Sequence, residues 1–168
     1  DPLLNLTYWG VGNPGPWLGE TRPGDNLFTN ATIALDADTG ELRAYHQYHW
    51  NGSWDWDEAA APLLIDVRRE GRNLRALVHP GRNGYLWLLE RFADRITFVE
   101  GQPFVFQNVF ADLDPVTGRP TYDPAHVPGI GRQAEFCPSL SGARNWPPEA
   151  YSPQTGMIYI PANDNLCS

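Results

Sequence analysis

The sequence has 168 residues, the length of one ordinary domain, and its 20 acidic and 12 basic residues give a net charge of −8. This acidity argues against nucleic acid or an anionic membrane surface as a partner, because no basic stripe is available to neutralise phosphates. The 16 glycines, 16 prolines and seven tryptophans disfavour a helical bundle, and no apolar run approaches the ~20 residues of a membrane-spanning helix.

The predicted elements, in chain order, are short strands. They lie at residues 30–33, 62–67, 74–78, 84–89 and 157–160, and no segment has helical periodicity over more than about two turns. The stretch between the third and fourth of these strands ends in Asn-Gly and therefore predicts a hairpin. The following region, 101–136, is rich in Gly, Pro and Asp and is interpreted as a long excursion between strands.

A turn sequence recurs along the chain. Thr-Gly closes a short segment containing Asp or Ser in residues 34–40, 112–118 and 151–156, and residues 1–6 resemble the same unit without its glycine. The Asp or Ser side chain caps such a turn, and glycine supplies the position with positive φ. Hairpins that recur at intervals of several tens of residues favour a β-propeller or another all-β repeat, here assembled from about three blades or parts of blades.

Both ends of the chain look unlike natural domain ends. The first residue is an aspartate with no methionine or signal-like segment before it, and the last residues follow directly on the strand-like stretch 157–161. Because an unpaired sheet edge invites aggregation, we expect residues 1–168 to be part of a longer propeller domain that is incomplete at both ends.

Two acidic residues, Asp55 and Asp57, form the strongest candidate for a metal site. At positions i and i+2 of an extended strand, both carboxylates point to one face, with the bulky Trp56 between them. Two like charges on one face favour a cation between them, and carboxylate oxygens suit a hard cation. The alternative is a solvated acidic loop whose Trp54 and Trp56 lie in the core.

Three further segments contain candidate binding residues. The loop at residues 10–17 is dense in Gly and Pro, so its backbone can approach a ligand and Asn13 can offer a neutral oxygen to a metal; the alternative is a tight turn. Arg82 is either an exposed turn residue or a fork for an anionic, carboxylate-rich ligand. Asn145 and Trp146 can address a planar polar ring, although a loop with a core tryptophan fits equally well.

The two cysteines, Cys137 and Cys167, allow two interpretations. They are either both reduced and buried, or joined in a disulfide in an oxidising compartment, and the sequence pattern leaves both open. Two cysteines are too few for a metal cage. The four histidines show no ligand spacing and are assigned structural roles: His46, His49, His79 and His126.

Taken together, these segments resemble the quinoprotein alcohol dehydrogenases, the pyrroloquinoline quinone (PQQ)-dependent enzymes of the methanol and ethanol dehydrogenase type. The resemblance runs through the whole chain and rests on seven ordered segments: residues 9–17, 22–26, 34–40, 54–57, 81–84, 137–139 and 151–156. It implies an all-β fold that is an eight-bladed β-propeller in the full-length family, with PQQ on its axis and about three blades in this chain.

The resemblance also implies roles for single residues. Asn13 matches a metal ligand that binds through its side-chain oxygen, and Asp55 matches the general base that lies beside the metal and removes the alcohol proton. Arg82 matches the basic residue that hydrogen-bonds the quinone oxygens. Asn145 resembles an asparagine that contacts PQQ, and Trp146 beside it is assigned to the same cofactor site.

Asp57 bears on the identity of the metal. Calcium-type members of the family have a small neutral residue at this position, whereas lanthanide-using members have an acid there, and a trivalent cation requires the additional negative oxygen. The expected cofactors are therefore PQQ with calcium or a lanthanide ion. The resemblance further implies a Cys137–Cys167 disulfide, which a periplasmic location makes possible.

The function implied is that of a fragment of a periplasmic alcohol dehydrogenase that oxidises primary alcohols to aldehydes, with a cytochrome c as electron acceptor. The family's remaining metal-binding glutamate matches no residue of the chain, so we expect residues 1–168 alone to hold part of a site and to have negligible activity. The alternative is a non-catalytic propeller-like module, for binding or scaffolding, that retains the motifs by descent.

Overall fold

Strands carry nearly all the regular structure of the computed structural model, which describes residues 1–168. The eleven strands are β1 (Leu6–Gly10), β2 (Ala31–Asp36), β3 (Leu42–Gln47), β4 (Leu63–Arg69), β5 (Arg72–Pro80), β6 (Tyr85–Arg91), β7 (Ile96–Pro103), β8 (Phe110–Leu113), β9 (Pro120–Tyr122), β10 (Ala150–Ser152) and β11 (Met157–Tyr159). The helical segments are two single 3-10 turns, Gly19–Thr21 and Pro124–His126, and no helix is long and apolar enough to cross a membrane.

The strands form antiparallel sheets in simple up-and-down order. β4, β5, β6 and β7 make one four-stranded sheet, which has the form of a propeller blade. The strands β1, β2 and β3 make a three-stranded sheet, and β8–β9 and β10–β11 form two-stranded hairpins. The prediction of an all-β, blade-based fold is therefore confirmed.

Two features of the sheets differ from the sequence prediction. Residues 101–136 are not one long excursion, because β7 continues to Pro103 and the hairpin β8–β9 lies within this stretch. The strand β7 itself was not predicted. It pairs with β6 along its length, and only a short turn, closed by a 3.0 Å hydrogen bond from Phe92 N to Arg95 O, separates the two strands.

The core lies between the sheets and is mainly aromatic. On β6 the side chains alternate, so that Tyr85, Trp87 and Leu89 face inward. They pack in one cluster with Trp54 and Trp56, whose indoles stack at 5.2 Å between ring centroids. Because both indoles come from a segment without strand pairing, burial of aromatic surface is the main force that fixes that segment.

A disulfide joins Cys137 to Cys167, with a Cα–Cα distance of 4.4 Å, and confirms the pairing that the family resemblance implies. Next to it, the backbones of Phe136 and Ser168 exchange two hydrogen bonds of 2.8 and 2.9 Å. The loop that follows Cys137 is thereby held against residues 167–168. This loop packs against the candidate site.

Candidate functional site

The segment at residues 54–58 carries the two candidate aspartates and alternates between buried and outward side chains. Trp54, Trp56 and Glu58 are each 1% exposed, whereas Asp55 is exposed and Asp57 is half-buried. The indole of Trp56 donates a 2.8 Å hydrogen bond to Ser139 O, and that of Trp54 is likewise bonded to a backbone carbonyl. The segment is thus anchored from its buried face.

The prediction that Asp55 and Asp57 lie on an extended strand is wrong. No strand covers this segment, and Asp55 has a φ of +60°, in the left-handed region that is sparsely populated by residues other than glycine. The physical reason is the anchoring of the two tryptophans, Trp54 and Trp56, which override the local preference. The part of the alternative that put these tryptophans in the core is correct.

Asp57 connects three of the segments that the sequence singled out. Its Oδ1 accepts a 2.7 Å hydrogen bond from the backbone amide of Asn13, and its Oδ2 lies 3.2 Å from Nη1 of Arg82. The approach to the first loop is close: a Cβ on Gly12 would lie 2.7 Å from Asp57 Oδ1. The glycine therefore permits a contact that a side chain would obstruct.

Asp55 has no such partners. Its carboxylate makes no hydrogen bond and no ion pair with any residue, and the Asn13 side-chain oxygen accepts no hydrogen bond either. In this region the Asp57 carboxylate is therefore held by two donors. The Asp55 carboxylate and the Asn13 side-chain oxygen remain available. Such groups are the ones that a hard cation or a proton-releasing substrate can engage.

Arg82 is not an exposed turn residue, since it is only 8% exposed. Its Nη2 donates a 2.6 Å hydrogen bond to Leu140 O, while its buried Nε has no partner. Gly142, at φ +72°, lies against it so closely that a Cβ there would be 2.7 Å from Arg82 Cβ. The hairpin predicted around Arg82 forms between β5 and β6.

Asn145 and Trp146 are not brought into contact with Asp57 or Arg82. Both are exposed, Trp146 by 77%, and the Asn145 side-chain oxygen accepts a 2.9 Å hydrogen bond from the Trp146 amide. The alternative of a core tryptophan is therefore wrong. The residue before them, Arg144, is buried and paired with Glu149, which fixes the base of the loop and leaves its tip open.

Glu58 is the residue that the sequence analysis missed. Its carboxylate lies 2.7 Å from His79 Nε2, 3.1 Å from Asn83 Nδ2 and 3.2 Å from the Arg82 amide. Burial raises the pKa of Glu58, but the hydrogen bond and charge of His79, with His49 and the Arg82 amide, hold it below its usual value. A signal was present, because Glu58 continues the i, i+2 spacing of Trp54 and Trp56.

Two of the four histidines that were predicted to be structural, His49 and His79, are buried next to Glu58. Both are 1% exposed, and burial lowers the pKa of His49 to about 4, so its imidazole is neutral at pH 7. The His79 ring stacks on Tyr48 at 4.4 Å between centroids while its Nε2 meets Glu58. These rings support the site from behind and do not line it.

The sequence matches the family model described as the glucose/ethanol/alcohol dehydrogenase β-propeller domain, named for PQQ, over residues 1–104. The chain belongs to this PQQ dehydrogenase family. The quinoprotein alcohol dehydrogenase PedH of Pseudomonas putida is 34% identical over 98% of the chain and 28% of its own length. A lanthanide-dependent methanol dehydrogenase of Methylacidiphilum fumariolicum is 37% identical over 99% of the chain and 27% of its own length.

Solved structures of the PQQ dehydrogenases agree with this. A europium-containing methanol dehydrogenase superimposes with a TM-score of 0.89 at 35% identity, over 97% of the chain and 28% of its own. The quinohemoprotein alcohol dehydrogenase of Comamonas testosteroni gives 0.91 at 32% identity, over 98% of the chain and 24% of its own. The family resemblance and the propeller fold are confirmed, and the chain spans about a quarter of the length of these relatives.

The donor set of this PQQ dehydrogenase chain fits a hard cation in kind. Asp55, Asp57 and Asn13 offer only oxygen atoms, which calcium and lanthanide ions prefer. No group of three or more His, Cys, Asp or Glu side chains converges into a metal cluster. The candidate oxygen donors of the chain are therefore two carboxylates and one amide oxygen.

Proposed function

We propose that this chain supplies the catalytic base and part of the metal and cofactor site of a PQQ-dependent alcohol dehydrogenase that oxidises primary alcohols to aldehydes. One observation carries the proposal: the Asp57 carboxylate, between the Asn13 amide at 2.7 Å and Arg82 at 3.2 Å, beside the unpartnered Asp55. Asp57 thereby joins the Asn13 loop and a guanidinium, and Asp55, the proposed base, lies two residues before it in the chain. Membership of the family supports the same function.

Arg82 has the properties of a residue that binds PQQ. Its guanidinium is buried, is oriented by Asp57 and Leu140, and has a free Nε–H. A planar guanidinium pairs well with carboxylate and quinone oxygens, because its donors form a fixed fork. PQQ, when bound, supplies a quinone that accepts two electrons. The proposal assigns Arg82 to the quinone oxygens, and Asn145 and Trp146 to the outer part of the same ligand.

The metal would be held by Asn13, Asp55 and Asp57. A bound calcium or lanthanide ion supplies Lewis acidity at this place. With Asp57 the chain offers two carboxylates, and the second negative charge favours a trivalent ion over a divalent one. This preference is supported by the names of two relatives, the lanthanide-dependent methanol dehydrogenase and the europium-containing methanol dehydrogenase.

Asp55 would act as the general base. Its carboxylate oxygens are exposed and make no hydrogen bond, so they can accept the proton of an alcohol hydroxyl at that position. The stacked indoles of Trp54 and Trp56 hold the backbone on either side, so the carboxylate is presented from a fixed position. Arg82 and Asp57 hold their own positions through their mutual ion pair.

The wider setting belongs to the same proposal. The Cys137–Cys167 disulfide supports an oxidising compartment such as the periplasm, where a c-type cytochrome would take up the electrons. Residues 1–168 would be one section of a larger propeller domain, since the relatives they match are about four times longer. In that setting the rest of the protein completes the cofactor site.

The test is alcohol-dependent dye reduction by the full-length protein reconstituted with PQQ and either calcium or lanthanum. We expect Asp55→Asn to lower kcat by about 10²–10⁴-fold, while Asp94→Asn, in an exposed turn, leaves it unchanged. If Asp55→Asn were as active as the wild-type protein, Asp55 would not be the general base. A wild-type protein that binds no PQQ would instead indicate the non-catalytic module.

The metal preference is tested separately with terbium, whose emission is sensitised by nearby tryptophans. Asp57→Ala should weaken the binding of lanthanum more than that of calcium, both measured by displacement of terbium. An equal loss for the two metals would contradict the assignment of Asp57 as the residue that favours a trivalent ion. The variant Asp94→Asn is again the control, because it removes an aspartate remote from the site.

A further inference from the structure

A buried carboxylate, Glu58, lies behind the candidate site and takes part in none of the steps above. It is 1% exposed and follows Asp57 directly in the chain. A buried carboxylate is costly unless its oxygens accept hydrogen bonds. All three of its donors lie within residues 79–83: the His79 ring at 2.7 Å, the Asn83 amide group at 3.1 Å and the Arg82 backbone amide at 3.2 Å.

These bonds fix the main chain of Arg82 from one side. The Arg82 amide has no acceptor other than Glu58, and the Arg82 carbonyl accepts a 2.9 Å hydrogen bond from Ala143 on the other side. Gly142 leaves no room behind the Arg82 Cβ. Without the Glu58 carboxylate the amide would be a buried donor without a partner, and the turn would have to move to satisfy it.

The loop that carries Asn145 and Trp146 begins at another buried charged residue, Arg144. Burial lowers the pKa of the Arg144 guanidinium, and the charge of Glu58 opposes this effect. Arg144 is 2% exposed and stands directly before Asn145, with one guanidinium nitrogen unpartnered. The Arg144 guanidinium itself pairs with Glu149, so Glu58 acts on Arg144 only through its charge and on Arg82 through its backbone amide.

We propose that Glu58 is a positioning residue: by holding the turn at residues 79–83 against the segment at 54–58, it sets the direction in which Arg82 meets an anionic, planar ligand. This inference rests on the proposed function, because PQQ is the ligand that Arg82 is assigned to bind. Glu58 does not itself touch the ligand. Its effect is transmitted through the backbone of Arg82.

The test is the binding of PQQ to the full-length protein without cofactor, measured by equilibrium dialysis with calcium present. Glu58→Gln keeps the shape of the side chain but replaces one acceptor oxygen by an NH₂ group, which cannot accept the bonds from the turn. We expect the Kd for PQQ to rise about tenfold. An unchanged Kd would overturn the proposal.

A control separates positioning from loss of stability. Arg91 is also buried and charged, is 6% exposed, and lies at the far end of β6, paired with Asp1 and Asp66. Arg91→Met should lower the melting temperature at least as much as Glu58→Gln and leave the Kd for PQQ unchanged. A Kd that follows the melting temperature in both variants would show that Glu58 has only a structural role.

A double variant tests whether Glu58 acts through Arg82. In the Arg82→Ala background, Glu58→Gln should change the Kd by less than about twofold, because the group it orients is already gone. If the fold-changes in Kd of the two single variants multiply in the double variant, Glu58 does not act through Arg82. If Glu58→Gln does not fold, Glu58→Asp, which keeps the charge but shortens the reach, should still raise the Kd severalfold, and an unchanged Kd would overturn the proposal.

The wild-type measurement distinguishes this inference from the proposed function. If the wild-type protein does not bind PQQ, the proposed function itself is wrong, and the role of Glu58 falls with it. If the wild-type protein and Glu58→Gln bind PQQ equally, the proposed function stands and only the role of Glu58 is refuted.

Discussion

The turn at residues 36–40 and the segment at residues 54–58 both carry aspartates at the surface, but they hold them in different ways. In the turn, Asp36 Oδ1 accepts two 3.0 Å hydrogen bonds, from the amides of Asp38 and Thr39, two and three residues away. In the segment, the partners of Asp57 lie 44 and 25 residues away in the chain. The bonds that hold Asp36 come from its own turn, whereas those that hold Asp57 depend on the whole fold.

The local structure repeats wherever its sequence repeats. Asp114 accepts bonds from the amides of Val116 and Thr117, and the Gly118 amide bonds to the Asp114 carbonyl at 2.8 Å. The turn at 152–156 closes in the same way at 2.8 Å. In residues 1–6, where glycine is missing, Asn5 takes the positive φ of 54°. We therefore expect changes to the hydrogen bonds within these turns to leave the site intact, and changes in the segment at 54–58 to alter it.

The largest effect should come from a substitution in the segment at residues 54–58, whose contacts are long-range. Trp56→Ala removes a fully buried indole together with its hydrogen bond to Ser139. Large aromatic deletions of this kind cost about 3–5 kcal/mol, and here the segment that carries Asp55 and Asp57 loses its anchor as well. Urea denaturation and terbium binding of the full-length protein measure the two losses.

The matched change on the local side is Thr39→Ala, which removes a 3.3 Å hydrogen bond from the Glu41 amide to the Thr39 hydroxyl. It should cost less than about 1 kcal/mol and leave terbium binding intact, because the bond is exposed and within the turn. Retention of terbium binding in Trp56→Ala would show that the segment does not depend on its tryptophan anchors.

The second prediction concerns the covalent tie behind Arg82. Replacement of Cys137 and Cys167 by serine releases a loop of 30 residues, whose closure in the unfolded chain accounts for roughly 3–4 kcal/mol. The loop includes Leu140 and Gly142, which contact Arg82. The free energy of unfolding should therefore fall together with the affinity for PQQ. An unchanged affinity would mean that Arg82 is held without the loop.

The elements that could be predicted from the sequence are mostly those whose contacts are local. The Thr-Gly turns, the Asn-Gly hairpin and the strands β4, β5 and β6 depend on contacts between near neighbours, and their positions were predicted to within a few residues. The strand β7 and the hairpin β8–β9 were missed. β7 begins with the β-prone run Ile-Thr-Phe-Val, so its sequence did carry a strand signal. The strands β8 and β9 have only four and three residues, too few to show a period-2 pattern.

The sequence pointed to residues that the structure brings into contact, but not to the geometry of that contact. Asn13, Asp57 and Arg82 were singled out from motifs, and the structure joins them. The left-handed backbone of Asp55 could not be foreseen, because the burial of neighbouring indoles imposes it. Glu58 was missed because a glutamate is ordinarily an exposed residue, and only the donors from residues 79–83 make its burial possible.

A smaller effect on the free energy of unfolding should come from the turn at residues 114–118, which packs against a side chain from β7. Gly40 and Gly118 have nearly the same φ, +74° and +72°, so an alanine costs about 1 kcal/mol of backbone strain at either. At Gly40 the new Cβ meets open space, but at Gly118 it lies 2.4 Å from the Phe98 ring. Gly118→Ala should therefore cost about 1–3 kcal/mol more.

Both variants are compared by urea denaturation, with unchanged terbium binding as the check that the site is intact. An equal cost at the two positions would mean that Phe98 moves aside freely. In that case the turn at 114–118 would be as independent of the sheets as the turn at 36–40. A larger cost at Gly118 would mean that packing against Phe98 constrains the turn at 114–118, while the turn at 36–40 has no such constraint at its glycine.

The smallest effect is the titration of a single turn carboxylate. The hydrogen bond from the Thr39 amide, helped by Arg43 and the Asp38 amide, lowers the pKa of Asp36 from 3.8 to about 2. Because the folded pKa lies below the unfolded one, the stabilisation is complete above pH 3.8 and is lost as the pH falls toward about 2. NMR titration of the Asp36 carboxyl should give this midpoint.

Asp36→Asn should remove the corresponding slope of melting temperature against pH, while Arg43→Gln should raise the midpoint only in part, since the turn amides still bond to the carboxylate. A variant far away in the chain, such as Trp56→Ala, should leave the midpoint unchanged as long as β2 and β3 stay paired. A midpoint that moved in Trp56→Ala would mean that the turn, too, is held by the fold as a whole, and the division between local and long-range structure would fail.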